Sequence, residues 1–323
     1  MNTRFTLAVA ASLAASLPAF AEIKLNDKFS VSGYVSGTAA YTETDGVKDG
    51  TMDVDAVKLA GSFALDKVTG TVSLHTFASH EPVVLDAYAT YAASATTSVT
   101  VGKYLSYLGF EAFDYPNMLQ ISYANSIGAF IPAYQSGVKV DFKGDGVTGG
   151  ISLVDSVYGP TYYKGDGTLN NGAGLESYLK FTKGDNTLFA AIAFDNGVGG
   201  SKDDRTTFDI WAQTKVGKTT LAAEYCYSKL DTAGGNADGF FWLALFMTPL
   251  NDKWTLTGRL SGGEDEALAA GPGPTPTFFK ATISPAVTIT DNLGLLLEYS
   301  HIKYDDFTAE KVHYLAAQVI FKW

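Results

Sequence analysis

Four histidines, His75, His80, His301 and His313, and one cysteine, Cys226, are where hydrolytic or metal chemistry would have to start in this chain. A serine hydrolase site needs a histidine base oriented by an acidic group, and none of the four histidines lies in a nucleophile motif. No two histidines stand at i, i+2 or i, i+4, and the acidic pairs Asp203-Asp204 and Asp305-Asp306 read as solvated loop charge. A single cysteine cannot form an intramolecular disulfide. The residues therefore point to no enzyme, no metal centre and no cofactor. What remains is the sorting of ions by fixed charge. Glu111 and Asp114 open the longest connection in the chain, while Lys58, Lys139, Lys180, Arg259 and Lys280 are interspersed with Asp86, Glu176, Asp209, Glu224 and Glu298 on the polar parity of alternating segments. An acidic loop facing a partly basic wall would place a transverse field across an aqueous passage. The plainer alternative is a set of ordinary solvated charges.

The elements that could hold such charges follow from composition and pattern. The chain has 323 residues, 46% hydrophobic and 18% charged, with 33 glycines, 18 tyrosines and 20 phenylalanines. Aromatic and glycine enrichment favours strands and turns. After the N-terminus no apolar run approaches the roughly 18 residues of a membrane-spanning helix. A net charge of -11 without a basic cluster excludes nucleic acid as a partner. Residues 1–21 read as a secretory signal: Arg4, an apolar stretch from Phe5 to Leu17, then Ala19-Phe20-Ala21 as a cleavage site. Removing Arg4 with it takes the formal charge from -11 to -12.

The remaining residues, 22–323, form one domain patterned with period two. Val57, Leu59, Phe63 and Leu65 alternate with Lys58, Ser62 and Asp66, and Phe208, Ile210 and Ala212 with Asp209, Trp211 and Gln213. Each segment runs for about ten residues, the length of a tilted strand crossing a bilayer. The connections alternate in length. Short ones, such as Asp66-Lys67, Lys143-Gly144-Asp145-Gly146 and Lys183-Gly184-Asp185-Asn186, carry turn chemistry, and long ones include 43–51, 106–132, 158–173, 230–238 and 262–276. This predicts an all-β, antiparallel transmembrane barrel of about 16 strands, wide enough for a water-filled lumen that satisfies the inward charges. The third long connection, 106–132, is expected to fold into that lumen. Phe240–Met247 is apolar on both parities, either because its inner face packs on an inserted loop or because barrels associate there. Lys103 shares the outward parity of Val99 and Val101, which implies a bulge or a snorkelling rim position.

The last strand carries Leu315, Ala317, Val319, Phe321 and Trp323 on one parity and ends on an aromatic residue. That resembles the C-terminal assembly signal of Gram-negative outer-membrane proteins, and implies the assembly machinery as a partner through Trp323. Four stretches resemble the OmpL-like family of β-barrel porins: Leu85-Asp86-Ala87-Tyr88-Ala89-Thr90-Tyr91, Val101-Gly102-Lys103-Tyr104-Leu105, Gly109-Phe110-Glu111 and Pro132-Ala133-Tyr134-Gln135-Ser136-Gly137-Val138. Gly102, Lys103, Gly109 and Glu111 are the motif positions. The resemblance implies a porin of the bacterial outer membrane, in contact with its lipid and lipopolysaccharide, passing small hydrophilic solutes and ions by passive diffusion, as a monomer or a homotrimer. The alternatives are a sealed barrel with an adhesion or structural role, an outer-membrane hydrolase, and a soluble β-sandwich, which would show shorter strands and no alternation of connections.

Overall fold

The computed structural model describes residues 22–77, 81–124, 130–159, 169, 172–198, 203–265, 277–305 and 311–323. The signal segment at 1–21, His80, Asp306 and the runs Gly165-Asp166-Gly167 and Gly271-Pro272-Gly273-Pro274 lie outside the described residues.

Seventeen strands follow one another among the described residues: β1 (Ile23–Lys24), β2 (Phe29–Thr44), β3 (Val47–Leu65), β4 (Val68–Phe77), β5 (Val83–Ala92), β6 (Thr97–Leu105), β7 (Tyr134–Lys143), β8 (Val147–Val154), β9 (Gly174–Lys183), β10 (Asn186–Asn196), β11 (Asp204–Val216), β12 (Thr219–Thr232), β13 (Gly235–Pro249), β14 (Trp254–Asp265), β15 (Thr277–Thr290), β16 (Leu293–Asp305) and β17 (Lys311–Lys322). Each of β2 to β17 pairs antiparallel with its sequence neighbour. β17 then returns to β2, from Val312↔Thr44 to Lys322↔Tyr34, and closes a sixteen-stranded barrel. Closure removes the unpaired edges that an open sheet would present. The short β1 adds to the start of β2 through Ile23↔Val31 and Lys24↔Ser30.

The period-two pattern sorts side chains by face. Leu59, Val72, Val101, Val140, Leu153, Leu179, Phe208, Leu221, Leu260, Leu315 and Val319 are all exposed, and an apolar face that encircles the sheet is stable only against lipid. The intervening positions, among them Lys58, Thr100, Glu176, Asp209, Arg259, Ser284 and Glu298, are buried on the inner face.

Two connections that read as long loops in the sequence are continuations of hairpins. β2 and β3 run on to a two-residue turn at Asp45-Gly46, with φ of 47° and 86°, the conformation of a type I′ turn. β12 and β13 likewise meet across 233–234 rather than across 230–238. Polar residues on both faces hide these strands, because once they rise above the membrane no apolar parity marks them. Strands of 16, 19, 14 and 15 residues result, longer than the bilayer alone requires.

Irregularities re-aim particular side chains. Ser36 pairs with Ala56 and Gly37 with Val54, so Asp55 is the extra residue of a bulge. Its carboxylate turns inward and accepts from Ser36 Oγ at 3.2 Å, Thr38 Oγ1 at 2.8 Å and Gln318 Nε2 at 2.9 Å. A second shift in register between β4 and β5, at Val72/Leu74, lies beside the carbonyl of Val84, which accepts from Lys103 Nζ at 2.6 Å. β6 itself pairs through Lys103 without a register shift, so Lys103 is not on a bulge of its own strand, and its side chain reaches the Val84 carbonyl on β5.

Candidate functional site

Between β6 and β7, the fifth and sixth barrel strands, the described part of segment 106–133 contains one 3-10 turn, Tyr115–Asn117, and no strand. Without a strand ladder, its backbone bonds to side chains of the inner wall. A carboxylate is suited to this because each oxygen accepts from amide N–H groups with charge assistance. Glu176 on β9 accepts from Ser106 Oγ at 2.6 Å and Tyr107 N at 3.3 Å. Asp209 on β11 accepts from Gly109 N at 2.8 Å, and Glu224 on β12 from Phe110 N at 2.7 Å. Glu298 on β16 accepts from Ile121 N at 2.6 Å, Ser122 N at 3.0 Å and Ser122 Oγ.

Cations hold the rest. Arg259 on β14 donates to the Glu111 carboxylate and, at 2.9 Å, to Ser122 O, while Glu111 also accepts from Ala124 N at 2.7 Å. Lys58 on β3 lies 2.8 Å from Asp114 and 3.0 Å from Asp86 on β5, and Ser73 Oγ donates to Asp86 at 2.7 Å. Lys280 on β15 donates to Ser122 Oγ at 2.6 Å and Tyr123 O at 2.8 Å. The segment thus engages wall side chains on strands from β3 round to β16.

Apolar contacts reinforce these bonds on one side. Leu108, Phe110, Ala124 and Phe130 share a buried cluster with Phe189, Trp211, Phe241, Leu243, Leu245 and Met247. Phe110 meets Trp211 edge-on at 5.5 Å and Phe130 meets Phe241 at 5.4 Å. The doubly apolar strand 240–247 is explained by these contacts: its inner residues cover the segment and its outer ones face out. Burial raises the hydroxyl pKa of Tyr107 and Tyr123 and pushes Tyr115 up to about 12, so these phenols add no charge at neutral pH.

All ten wall residues singled out in the sequence lie on the inner face, but they differ in their surroundings. Lys58, Asp86, Glu176, Asp209, Glu224, Arg259, Lys280 and Glu298 are bonded to segment 106–133 or to one another as described. Lys139 instead sits over the rings of Tyr104 and Tyr107, at 4.6 and 5.0 Å from their centroids. Lys180 is half-buried and makes no ion pair among the described residues. Glu111 and Asp114 touch their basic partners rather than facing them across a gap. Of the motif glycines, Gly102 has φ 126°, and a Cβ there would lie 2.1 Å from Ala87 O. Gly102→Ala should therefore destabilise the barrel by roughly 2 kcal/mol or more through backbone strain and displaced β5, read as a lower midpoint of urea unfolding in micelles.

Pattern reasoning misses a second anchored stretch. Tyr158 Oη reaches Thr207 Oγ1 at 2.6 Å and Phe130 O at 2.7 Å, and its ring lies 3.7 Å beneath the Arg205 guanidinium. Asp195 accepts from Ser156 Oγ and Tyr158 N, each at 2.7 Å. The isolated Asp at the end of an otherwise apolar inner parity on β10 is the available signal.

The profile of the family described as "Putative beta-barrel porin-2, OmpL-like" matches residues 28–321. Among solved structures, the anion-selective porin from Comamonas acidovorans superposes with a TM-score of 0.70 at 11% identity, covering 92% of this chain and 99% of that one. OprB of Pseudomonas putida gives 0.70 at 10%, covering 92% and 94%, and OmpF of Salmonella typhi, solved with daunomycin, gives 0.67 at 13%, covering 94% and 100%. At these identities the likeness is one of fold. No curated protein matches the chain in sequence. Since the family match spans every strand of the closed barrel, the chain belongs to the OmpL-like β-barrel porin family of the outer membrane.

Proposed function

We propose that the protein is an outer-membrane channel for passive diffusion of small hydrophilic solutes and ions, exported by way of residues 1–21, with segment 106–132 held inside the barrel as its constriction. It makes and breaks no covalent bond. The observation that carries this reading is the distribution of wall partners. A segment bonded through Gly109 N to Asp209 on β11 and through Asp114 to Lys58 on β3, strands eight apart in the ring of sixteen, crosses the passage instead of following one wall. Glu111 and Asp114 then set the local charge of the narrowest section together with their basic partners, and Lys139 and Lys180 remain as cationic groups along the wall. Lipid and lipopolysaccharide surround the barrel, and the C-terminal strand ending at Trp323 serves assembly.

Single-channel recording of the folded protein in a planar bilayer tests this. Discrete, reproducible conductance steps are expected. Replacing Glu111 by Gln and Asp114 by Asn uncovers Arg259 and Lys58, so the reversal potential in a salt gradient should move toward anion preference, most clearly at low ionic strength. Silence from inserted protein would make it a sealed barrel, and an unmoved reversal potential would remove the two carboxylates from the constriction.

A further inference from the structure

The outer face carries a feature that the pore does not use. His301 on β16 and His313 on β17 are directly opposed in register, with ring centroids 4.6 Å apart. They sit toward the long-loop end of the barrel, and His313 is in turn opposed by Glu43 on β2. Directly opposed positions of an antiparallel pair bring two side chains within a few ångströms, so both imidazoles can address one ion. His301 Nδ1 is shielded from solvent and has no hydrogen-bond partner. His313 Nδ1 lies 2.9 Å from Tyr299 Oη; donating Nδ1–H to that hydroxyl fixes the tautomer whose Nε2 lone pair is available for ligation.

We propose that His301 and His313 form a binding site for a divalent transition-metal cation, with Cu2+ and Zn2+ as the fitting class because imidazole nitrogen suits both. Among the described residues no three His, Cys, Asp or Glu side chains converge as a cluster, so the histidines supply two ligands and water the others. Glu43 stands opposite His313 in register, but its carboxylate accepts from Tyr41 Oη at 3.2 Å and is not counted as a ligand. Tyr299 is a positioning residue. Two cations flank the pair: Lys303, engaged by Asp305 at 2.8 Å, and Lys311, which stands opposite Lys303 in register and acts against a metal there. Bound there, the ion would clamp β16 to β17 beside the strand pair that closes the barrel.

The test is Cu2+ titration of the full-length protein, folded in micelles and purified without a histidine tag, followed by electron paramagnetic resonance and calorimetry. One Cu2+ per chain with coupling to two nitrogens is expected. His301→Ala and His313→Ala should each abolish the two-nitrogen signal, and Tyr299→Phe should weaken binding roughly tenfold while keeping it. Heat-modified migration in gels checks that each variant is folded. A wild-type signal without nitrogen coupling, no binding, or a two-nitrogen signal that survives either alanine variant would overturn the proposal. None of these outcomes depends on whether the barrel conducts.

Discussion

Arg259→Met should release the middle of segment 106–132 from the wall. The guanidinium is inaccessible, with a side-chain exposure of 0% against 20% for Glu111, and it also holds Ser122 O. Removing one partner of a buried pair strands the other, at a cost of about 3–5 kcal/mol. Here that cost falls on the docking of the segment, because the ladders of the barrel do not run through it. The expected result is a folded barrel whose single-channel current is larger and noisier than wild type, and whose segment is cut by protease in the folded state. Adding Glu111→Leu to Arg259→Met should recover much of the lost docking, since an apolar pair of similar volume can replace a buried ion pair. A double variant as noisy as the single one would mean that Arg259 acts through Ser122 alone.

The second large effect belongs to Lys58→Met. Its ammonium separates two carboxylates, 3.0 Å from Asp86 and 2.8 Å from Asp114. Without it the two acids face each other inside the wall with no cation between them, and their repulsion adds to the loss of the pair. At neutral pH the variant should lose about 3–5 kcal/mol relative to wild type, read as a lower urea midpoint, and adding Asp114→Asn to Lys58→Met should recover part of that loss. A double variant no more stable than the single one would show that Lys58 contributes by packing rather than by charge.

The closed barrel is legible in the sequence because lipid imposes an apolar outer parity on the crossing strands, and most of them, unlike β10 and β13, are polar on the other. Val138, Val140 and Phe142 on β7, or Leu175, Leu179 and Phe181 on β9, announce both the strand and its outer face. The same rule places Lys58, Glu176, Asp209, Arg259 and Glu298 on the inner face before any partner is known. What the parity does not report is whom they meet. Glu176, Asp209, Glu224 and Glu298 bond atoms of segment 106–122 that lie 69 to 177 residues away in sequence, and backbone amides leave no trace in side-chain pattern. For the same reason the wall acids read as charges held by water, whereas they cap amides. The hairpin tips at Asp45-Gly46 and 233–234 escape because both their faces are polar. The opposed His301 and His313 escape because register between strands, unlike spacing along one, is not written in a single chain segment.

Segment 106–132 in the conduction path would put Ala112 within reach of the ion current, and Ala112→Cys reads this directly. Ala112 sits between Glu111 and Phe113 and carries no polar group to disturb, and the native Cys226 is buried and serves as an unreactive background. A charged, water-soluble methanethiosulfonate added to open single channels should lower the current in discrete steps in the Ala112→Cys variant and leave wild type unchanged. Full modification of the introduced thiol, verified by mass spectrometry, with undiminished current would place the segment outside the conduction path.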